Sequence, residues 1–183
     1  SYFEAPEDYQ GECQQRILTA TTDARLIAID ALTGERCSQF GEQGEVDLTT
    51  SMGNDPRIFN FQTSPPGIVR GNAVVGGWVF DNQSVGEPSG VVRAFDALSG
   101  EFAWAWDMGR PGVNTQPLRG EVYTRGTPNV WSLFSVDEEL GLIYAPTGNE
   151  TPDYFGGQRM ESSEQYASSI VAIDGETGSV RWS

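Results

Sequence analysis

The 183-residue sequence contains no histidine and no lysine. Without histidine, proton transfer near neutral pH falls to a carboxylate, a tyrosine or a group outside the chain. Without lysine, all 11 basic residues are arginines, set against 26 acidic residues for a net charge of −15. So acidic a surface repels phosphate backbones, which excludes nucleic acid as a partner and reads as an acidic solvated exterior. Long apolar runs are also missing: none exceeds strand length, so no segment crosses a membrane as a helix. The opening residues SYFEAPEDYQ carry neither a basic nor a long apolar region, so no signal peptide is read there. No amphipathic helix of useful length is found. Cysteine is scarce. Cys13 and Cys37 enclose a loop whose closure the chain-entropy model values at roughly 3 kcal/mol. If residues 16–20, 26–30 and 35–39 form a meander, the pair sits two strands apart, beyond easy bridging distance. A disulfide is still expected over two buried thiols.

Glycine and turn chemistry are abundant, with 22 glycines and 10 prolines. One phrase recurs three times: Ala28-Ile29-Asp30-Ala31-Leu32-Thr33-Gly34, then Ala94-Phe95-Asp96-Ala97-Leu98-Ser99-Gly100, then Ala172-Ile173-Asp174-Gly175-Glu176-Thr177-Gly178. Each glycine supplies the positive φ of a tight hairpin, and each aspartate can accept from the turn amides. Trp104 and Trp182 follow their glycines by four residues; Ser38 holds that place in the first copy. Spacings of 66 and 78 residues between the glycines suit generous four-stranded propeller blades.

Alternating apolar runs place two blades, at about 62–107 and 128–183, with the final strands of another in the first 40 residues. The fold class expected is all-β, about two and a half four-stranded antiparallel blades of a larger propeller. The segments are divided as 1–40, 41–107 and 108–183. Two and a half blades leave open strand edges, so the chain is expected to be part of a longer protein. In an up-and-down blade the connections between second and third strands share a face with the blade-to-blade connections. That face is expected to hold every long loop, and hence the function.

The repeated Ala-x-Asp-x-x-Thr/Ser-Gly-x-x-x-Trp phrase resembles the tryptophan-docking motif of quinoprotein alcohol dehydrogenases, which are eight-bladed propellers. Further strings narrow the resemblance: CQQRILTATTDARLIAID, the loop from Asp81 to Gly90 (DNQSVGEPSG), YTRGTPNVW ending on Trp131, and Gly148-Asn149-Glu150-Thr151-Pro152-Asp153. Together these resemble the membrane-bound, pyrroloquinoline-quinone-dependent glucose, quinate and shikimate dehydrogenases over nearly the whole chain. The resemblance implies oxidation of a sugar or polyol, of the glucose-to-gluconolactone type, by hydride transfer to the quinone, with electrons passed to ubiquinone. It implies a periplasmic domain attached to the inner membrane. It assigns Asp81 and Thr151 to a calcium or magnesium site with Asn149 as an alternative ligand, places Asn82 beside that site, and assigns Trp131 to stacking on the quinone. Oxygen ligands suit a hard divalent cation, and an indole face suits a planar quinone.

Thr63 and Ser64 open a strand on the same face and are candidates to bond cofactor carboxylates. Each residue also has a plainer reading. Asp81 and Asn82 are ordinary turn residues, Trp131 resembles core packing, Thr63 and Ser64 resemble strand-start hydrogen bonders, and Arg125 resembles a partner of a surface acid. Trp104 and Trp182 are assigned to structure. No catalytic residue is placed in this chain: the family's catalytic aspartate and a quinone-contacting lysine lie further along, so the chain alone is expected to be inactive. The alternatives are a non-enzymatic propeller scaffold with the same repeat and a related domain that has lost cofactor binding.

Overall fold

The structure, a computed structural model, describes residues 1–53, 60–80 and 84–183. Its first sheet joins β1 (Tyr2–Glu4), β2 (Gln15–Ala20), β3 (Arg25–Asp30) and β4 (Glu45–Asp47) in that order. Next in the chain come β5 (Asn60–Phe61), β6 (Gly67–Val69), β7 (Asn72–Val75), β8 (Trp78–Val79), β9 (Val92–Asp96) and β10 (Phe102–Trp106). Four of these form the second sheet in the order β10-β9-β7-β6, while β5 and β8 pair as a separate ribbon. The third sheet runs β11 (Ser135–Asp137), β12 (Leu142–Pro146), β13 (Ile170–Asp174) and β14 (Val180–Trp182). All pairings between named strands are antiparallel, as in propeller blades. Helical structure among the described residues is limited to one short turn at Gly156–Gln158 and another, α1, at Glu161–Glu164.

The three turn phrases fold alike. Asp30 Oδ1 accepts from the amides of Leu32 (2.9 Å) and Thr33 (2.8 Å), Asp96 Oδ1 from Leu98 and Ser99, and Asp174 Oδ1 from Glu176 and Thr177. Gly34, Gly100 and Gly178 all have positive φ, at 77°, 75° and 71°. At Gly178 a second demand applies: a β-carbon would lie 2.5 Å from the Trp104 ring. Trp104, 1 % exposed, donates its indole N–H to the Gly175 carbonyl at 3.0 Å, docking the second sheet on the third. Around it Val69, Val92, Trp106, Ile143 and Ile173 form the apolar seam between these sheets. Leu18, Leu26, Phe40, Ala73 and Phe95 form the seam between the first and second.

The first sheet departs from expectation in three ways. It has four strands, because residues 2–4 add to β2 and β4 pairs with β3. Residues 35–39 do not form a strand; Ile29 and Arg36 make only an isolated bridge, and the chain turns so that Cys37 N–H donates to the Ala28 carbonyl. That turn brings Cys37 to Cys13, with Cα atoms 5.9 Å apart, and the disulfide forms. Third, the long connections 5–14 and 31–44 lie on the same side as the tight turns of the other sheets, where Gly41 N–H donates to the Ser99 carbonyl. Long loops are therefore not confined to one face.

In the first repeat, which lacks the tryptophan, Arg16 takes over the docking. Its guanidinium is 1 % exposed and donates to the carbonyls of Leu98 (2.9 Å) and Ala97 (3.3 Å) in the turn of the second sheet. Ala97 follows Asp96 just as Gly175 follows Asp174, so the arginine reaches the carbonyl that Trp104 reaches one seam later. The remaining N–H groups donate to the carbonyls of Cys13 and Glu12 and to the Tyr9 hydroxyl. A buried guanidinium satisfied this fully carries little desolvation penalty relative to one left unpaired.

Candidate functional site

Three segments converge across the seam between the second and third sheets. They are residues 84–90 before β9, 125–131 before β11, and the start of the 147–169 connection after β12. Close backbone approach makes this possible. A β-carbon on Gly90 would stand 1.7 Å from the Pro128 carbonyl oxygen, and one on Gly76 2.3 Å from that of Val130. Only glycine allows either contact. Gly90 N–H donates to Thr127 Oγ1 (2.9 Å), Gly126 N–H to the Glu87 carbonyl (2.9 Å), and Gly148 N–H to the Asn129 carbonyl (2.9 Å).

Trp131 stands at this junction, 52 % exposed. Its carbonyl accepts two hydrogen bonds from the connection between β5 and β6, Thr63 Oγ1 at 2.6 Å and Ser64 Oγ at 2.8 Å; these two residues thus precede the strand they were expected to open. Gly148 lies beside the indole: a β-carbon there would be 3.6 Å from Trp131 Nε1. The core-packing alternative thus does not describe Trp131, whereas it describes Trp104. Trp182, also about half exposed, lies 5.8 Å from the Tyr144 ring.

Thr151 is buried, its N–H and Oγ1 both donating to the Gly126 carbonyl, at 3.1 and 3.3 Å. The hydroxyl oxygen keeps lone pairs for another partner. Asn149 braces its loop: Nδ2 donates to Asp153 Oδ1 at 2.6 Å, and Oδ1 accepts from the Ser168 hydroxyl. Glu150 is buried and accepts from the Met160 amide at 2.8 Å, closing the other side of the same loop. Arg125 donates to the Gly86 carbonyl (2.6 Å). Asp81 and Asn82 lie outside the described residues.

Two further residues of the site have no motif to announce them. Gln62 precedes Thr63 and Asn129 lies two residues before Trp131; both are buried, and among the described residues neither carboxamide oxygen accepts a hydrogen bond. A buried acceptor left without a donor costs about 1–3 kcal/mol, so both stand out as polar groups next to Thr63 and Trp131 in the chain. The only signal in sequence is their position next to residues named on other grounds. Close by in the chain, Tyr123 packs beneath Arg93, whose guanidinium lies 5.8 Å from the ring centroid. Burial pushes the Tyr123 phenol up and the Arg93 guanidinium down from their ordinary values. A phenol so shifted stays protonated near neutral pH and is unsuited to act as a base.

The half-exposed Trp131 face fits a planar group laid on it. The hydroxyl of Thr151 and the amide of Asn149 are the oxygen types a hard divalent cation takes. Among the described residues no cluster of three or more acidic, cysteine or histidine side chains surrounds them.

Comparisons with known proteins identify the family and the fold. A sequence model described as "PQQ: Glucose/ethanol/alcohol dehydrogenase, beta-propeller domain" matches residues 1–183. The glycerol dehydrogenase large subunit of Gluconobacter oxydans is 44 % identical over 183 residues, covering 100 % of this chain and 25 % of that protein. The quinoprotein glucose dehydrogenase of Escherichia coli is 39 % identical over 179 residues, 98 % of this chain and 22 % of that protein. The crystal structure of quinohemoprotein alcohol dehydrogenase from Comamonas testosteroni superposes with a TM-score of 0.66 at 24 % identity, covering 92 % of this chain and 25 % of that one, a likeness of fold. The chain spans about a quarter of the length of the curated relatives it matches.

Proposed function

The chain belongs to the PQQ-dependent glucose/ethanol/alcohol dehydrogenase β-propeller family, and from that premise we propose that it supplies the quinone platform and part of the metal-binding face of an enzyme oxidising a neutral sugar or polyol. The observation that carries the reading is Trp131, an exposed indole held at a seam by hydrogen bonds to its own backbone. In this reading the Trp131 face orients the quinone. Thr151 and Asn149, with Asp81 and Asn82, offer oxygens to a calcium or magnesium ion. When bound, the quinone and its cation supply a polarised carbonyl that accepts hydride. On the part of the enzyme that these residues supply, a net charge of −15 disfavours a carboxylate substrate by simple repulsion. Electron transfer to ubiquinone and a periplasmic, inner-membrane-attached setting belong to the same proposal. The catalytic base is assigned to none of these 183 residues.

The test is a titration of the metal-free, cofactor-free intact protein with pyrroloquinoline quinone, with calcium or magnesium added, followed by assay on glucose, glycerol and quinate. Saturable quinone binding is expected, weakened roughly tenfold in Trp131→Ala, with turnover of a neutral substrate. An intact protein that binds no quinone would overturn the proposal. Turnover by the 183-residue chain alone would overturn the assignment of the base elsewhere.

A further inference from the structure

Two parts of the first sheet reach the same turn of the second. Arg16, at the head of β2, donates to the carbonyls of Ala97 (3.3 Å) and Leu98 (2.9 Å). From the 31–44 connection, Gly41 N–H donates to the Ser99 carbonyl at 2.8 Å. The approach there is tight: a β-carbon on Gly100 would stand 2.8 Å from the Gly41 nitrogen. The connections behind these contacts are themselves tied together. The Cys13–Cys37 disulfide joins them covalently, and the Glu12 carboxylate accepts from the Ser38 hydroxyl (3.1 Å) and the Gln39 amide. On one side of the bridge, the carbonyls of Cys13 and Glu12 accept from Arg16 at 3.0 and 2.9 Å and so aim the guanidinium. On the other, the Cys37 carbonyl accepts from the N–H of Phe40, which precedes Gly41 and is buried in the seam between the sheets.

We propose that the Cys13–Cys37 disulfide is a redox-sensitive latch on the docking of the first sheet against the second, acting through Arg16 and Gly41. Closed, it fixes the two connections relative to each other, so that guanidinium and amide meet the 97–100 turn together. Opening it takes a dithiol reductant. Cys13 is partly buried and Cys37 fully buried, so a thiolate of the reductant attacks the Cys13 sulfur and Cys37 leaves as a thiolate that takes a proton. The second thiol of the reductant then displaces the Cys13 sulfur, which is protonated in turn. Two electrons pass to the protein, and the reductant ends as its own disulfide. With the bridge open, the tie between the connections passes to the exposed hydrogen bonds of Glu12, which compete with water. The carbonyls that aim Arg16 are then no longer anchored to the segment that carries Gly41. The loss falls first on the seam, beyond the restraint that the bridge places on the unfolded chain.

The experiment follows amide exchange in the intact protein, with Gly41 as the reporter because its N–H bonds the turn. The amides of β12 and β13, in the third sheet, serve as the comparison. Treating the unsubstituted protein with a dithiol is expected to speed Gly41 exchange roughly tenfold and to speed exchange in β12 and β13 by less. Cys13→Ser with Cys37→Ser should give the same result without reductant. Equal acceleration at Gly41 and in the third sheet would mean that the bridge acts only on the unfolded chain, and overturns the proposal. So does a bridge that the dithiol leaves intact in the folded protein. The route through Arg16 is read by a cycle. Arg16→Met should speed Gly41 exchange in the bridged protein and add less than its full effect once the bridge is gone. Strictly additive effects overturn the route. If the serine variant does not fold, oxidised and reduced samples of the Arg16→Met and unsubstituted proteins complete the same cycle.

Discussion

Arg16 shows how one residue can replace another by reaching the same atom. The second and third sheets dock through an indole N–H on a turn carbonyl. The first repeat has Ser38 where the tryptophan stands in the others, and a guanidinium from a different strand donates to the corresponding carbonyl instead. The two solutions respond differently to substitution. Replacing Arg16 with methionine takes the donor from the buried Ala97 carbonyl and from the partly buried carbonyls of Glu12, Cys13 and Leu98, at about 1–3 kcal/mol for a buried group so stranded. Lysine should not rescue it, because a single ammonium cannot reproduce a planar fork reaching carbonyls on two sheets. Equilibrium denaturation of the intact protein should show this loss for both Arg16→Met and Arg16→Lys. Recovery of stability in the lysine variant would mean that charge, and not geometry, makes the contact. Nothing in the sequence around Arg16 discloses its role, since its acceptors lie 81 and 82 residues away.

At the scale of elements, the disulfide and the turns stand at opposite ends of legibility. The Asp-x-x-Thr/Ser-Gly turns are readable because everything they need lies within five residues, and all three fold as their residues indicate. The pairing of Cys13 with Cys37 depends on whether residues 35–39 continue the sheet, which is set by the placement of the 31–44 connection against the second sheet, a tertiary matter. The same limit explains the candidate site. Trp131 and Thr151 stand out by motif, but the Asn149–Ser168 brace and the clamp on Trp131 depend on partners 19 and 67 or 68 residues distant. The bridge spans a separation of 24 residues and holds the Cys13 carbonyl that accepts from Arg16. Removing it by Cys13→Ser with Cys37→Ser should destabilise the protein by about 3 kcal/mol. Adding a reductant to the unsubstituted protein should lower the unfolding midpoint in the same direction. An unchanged midpoint in both would show that the connections are held by packing alone.

On the scale of the whole 183-residue chain, charge sets the behaviour. With 26 acidic and 11 basic residues and no histidine to titrate, the net negative charge persists throughout the neutral range. Self-repulsion of this kind opposes compactness and is screened by salt, with a Debye length falling from about 30 Å at 0.01 M to about 3 Å at 1 M. Amide exchange from the strands of these 183 residues, followed in the intact protein, should therefore be slower in molar than in low sodium chloride. Faster exchange in salt would mean that attractive pairs such as Arg25–Glu45–Arg36 outweigh the repulsion. Such exposed pairs contribute little individually, so slower exchange is the expected sign.

The bonds from Thr63 and Ser64 to Trp131 tie the connection before β6 to the connection before β11, whose sheets are otherwise separate strand sets. The platform is consequently not a property of either sheet: it exists only once the two have closed on each other. By mass action, a ligand that recognises the closed platform strengthens the closure, so that a small molecule lodged there behaves as a rivet between blades. Loading then doubles as an inspection of assembly, since a partly assembled ring offers nothing to rivet.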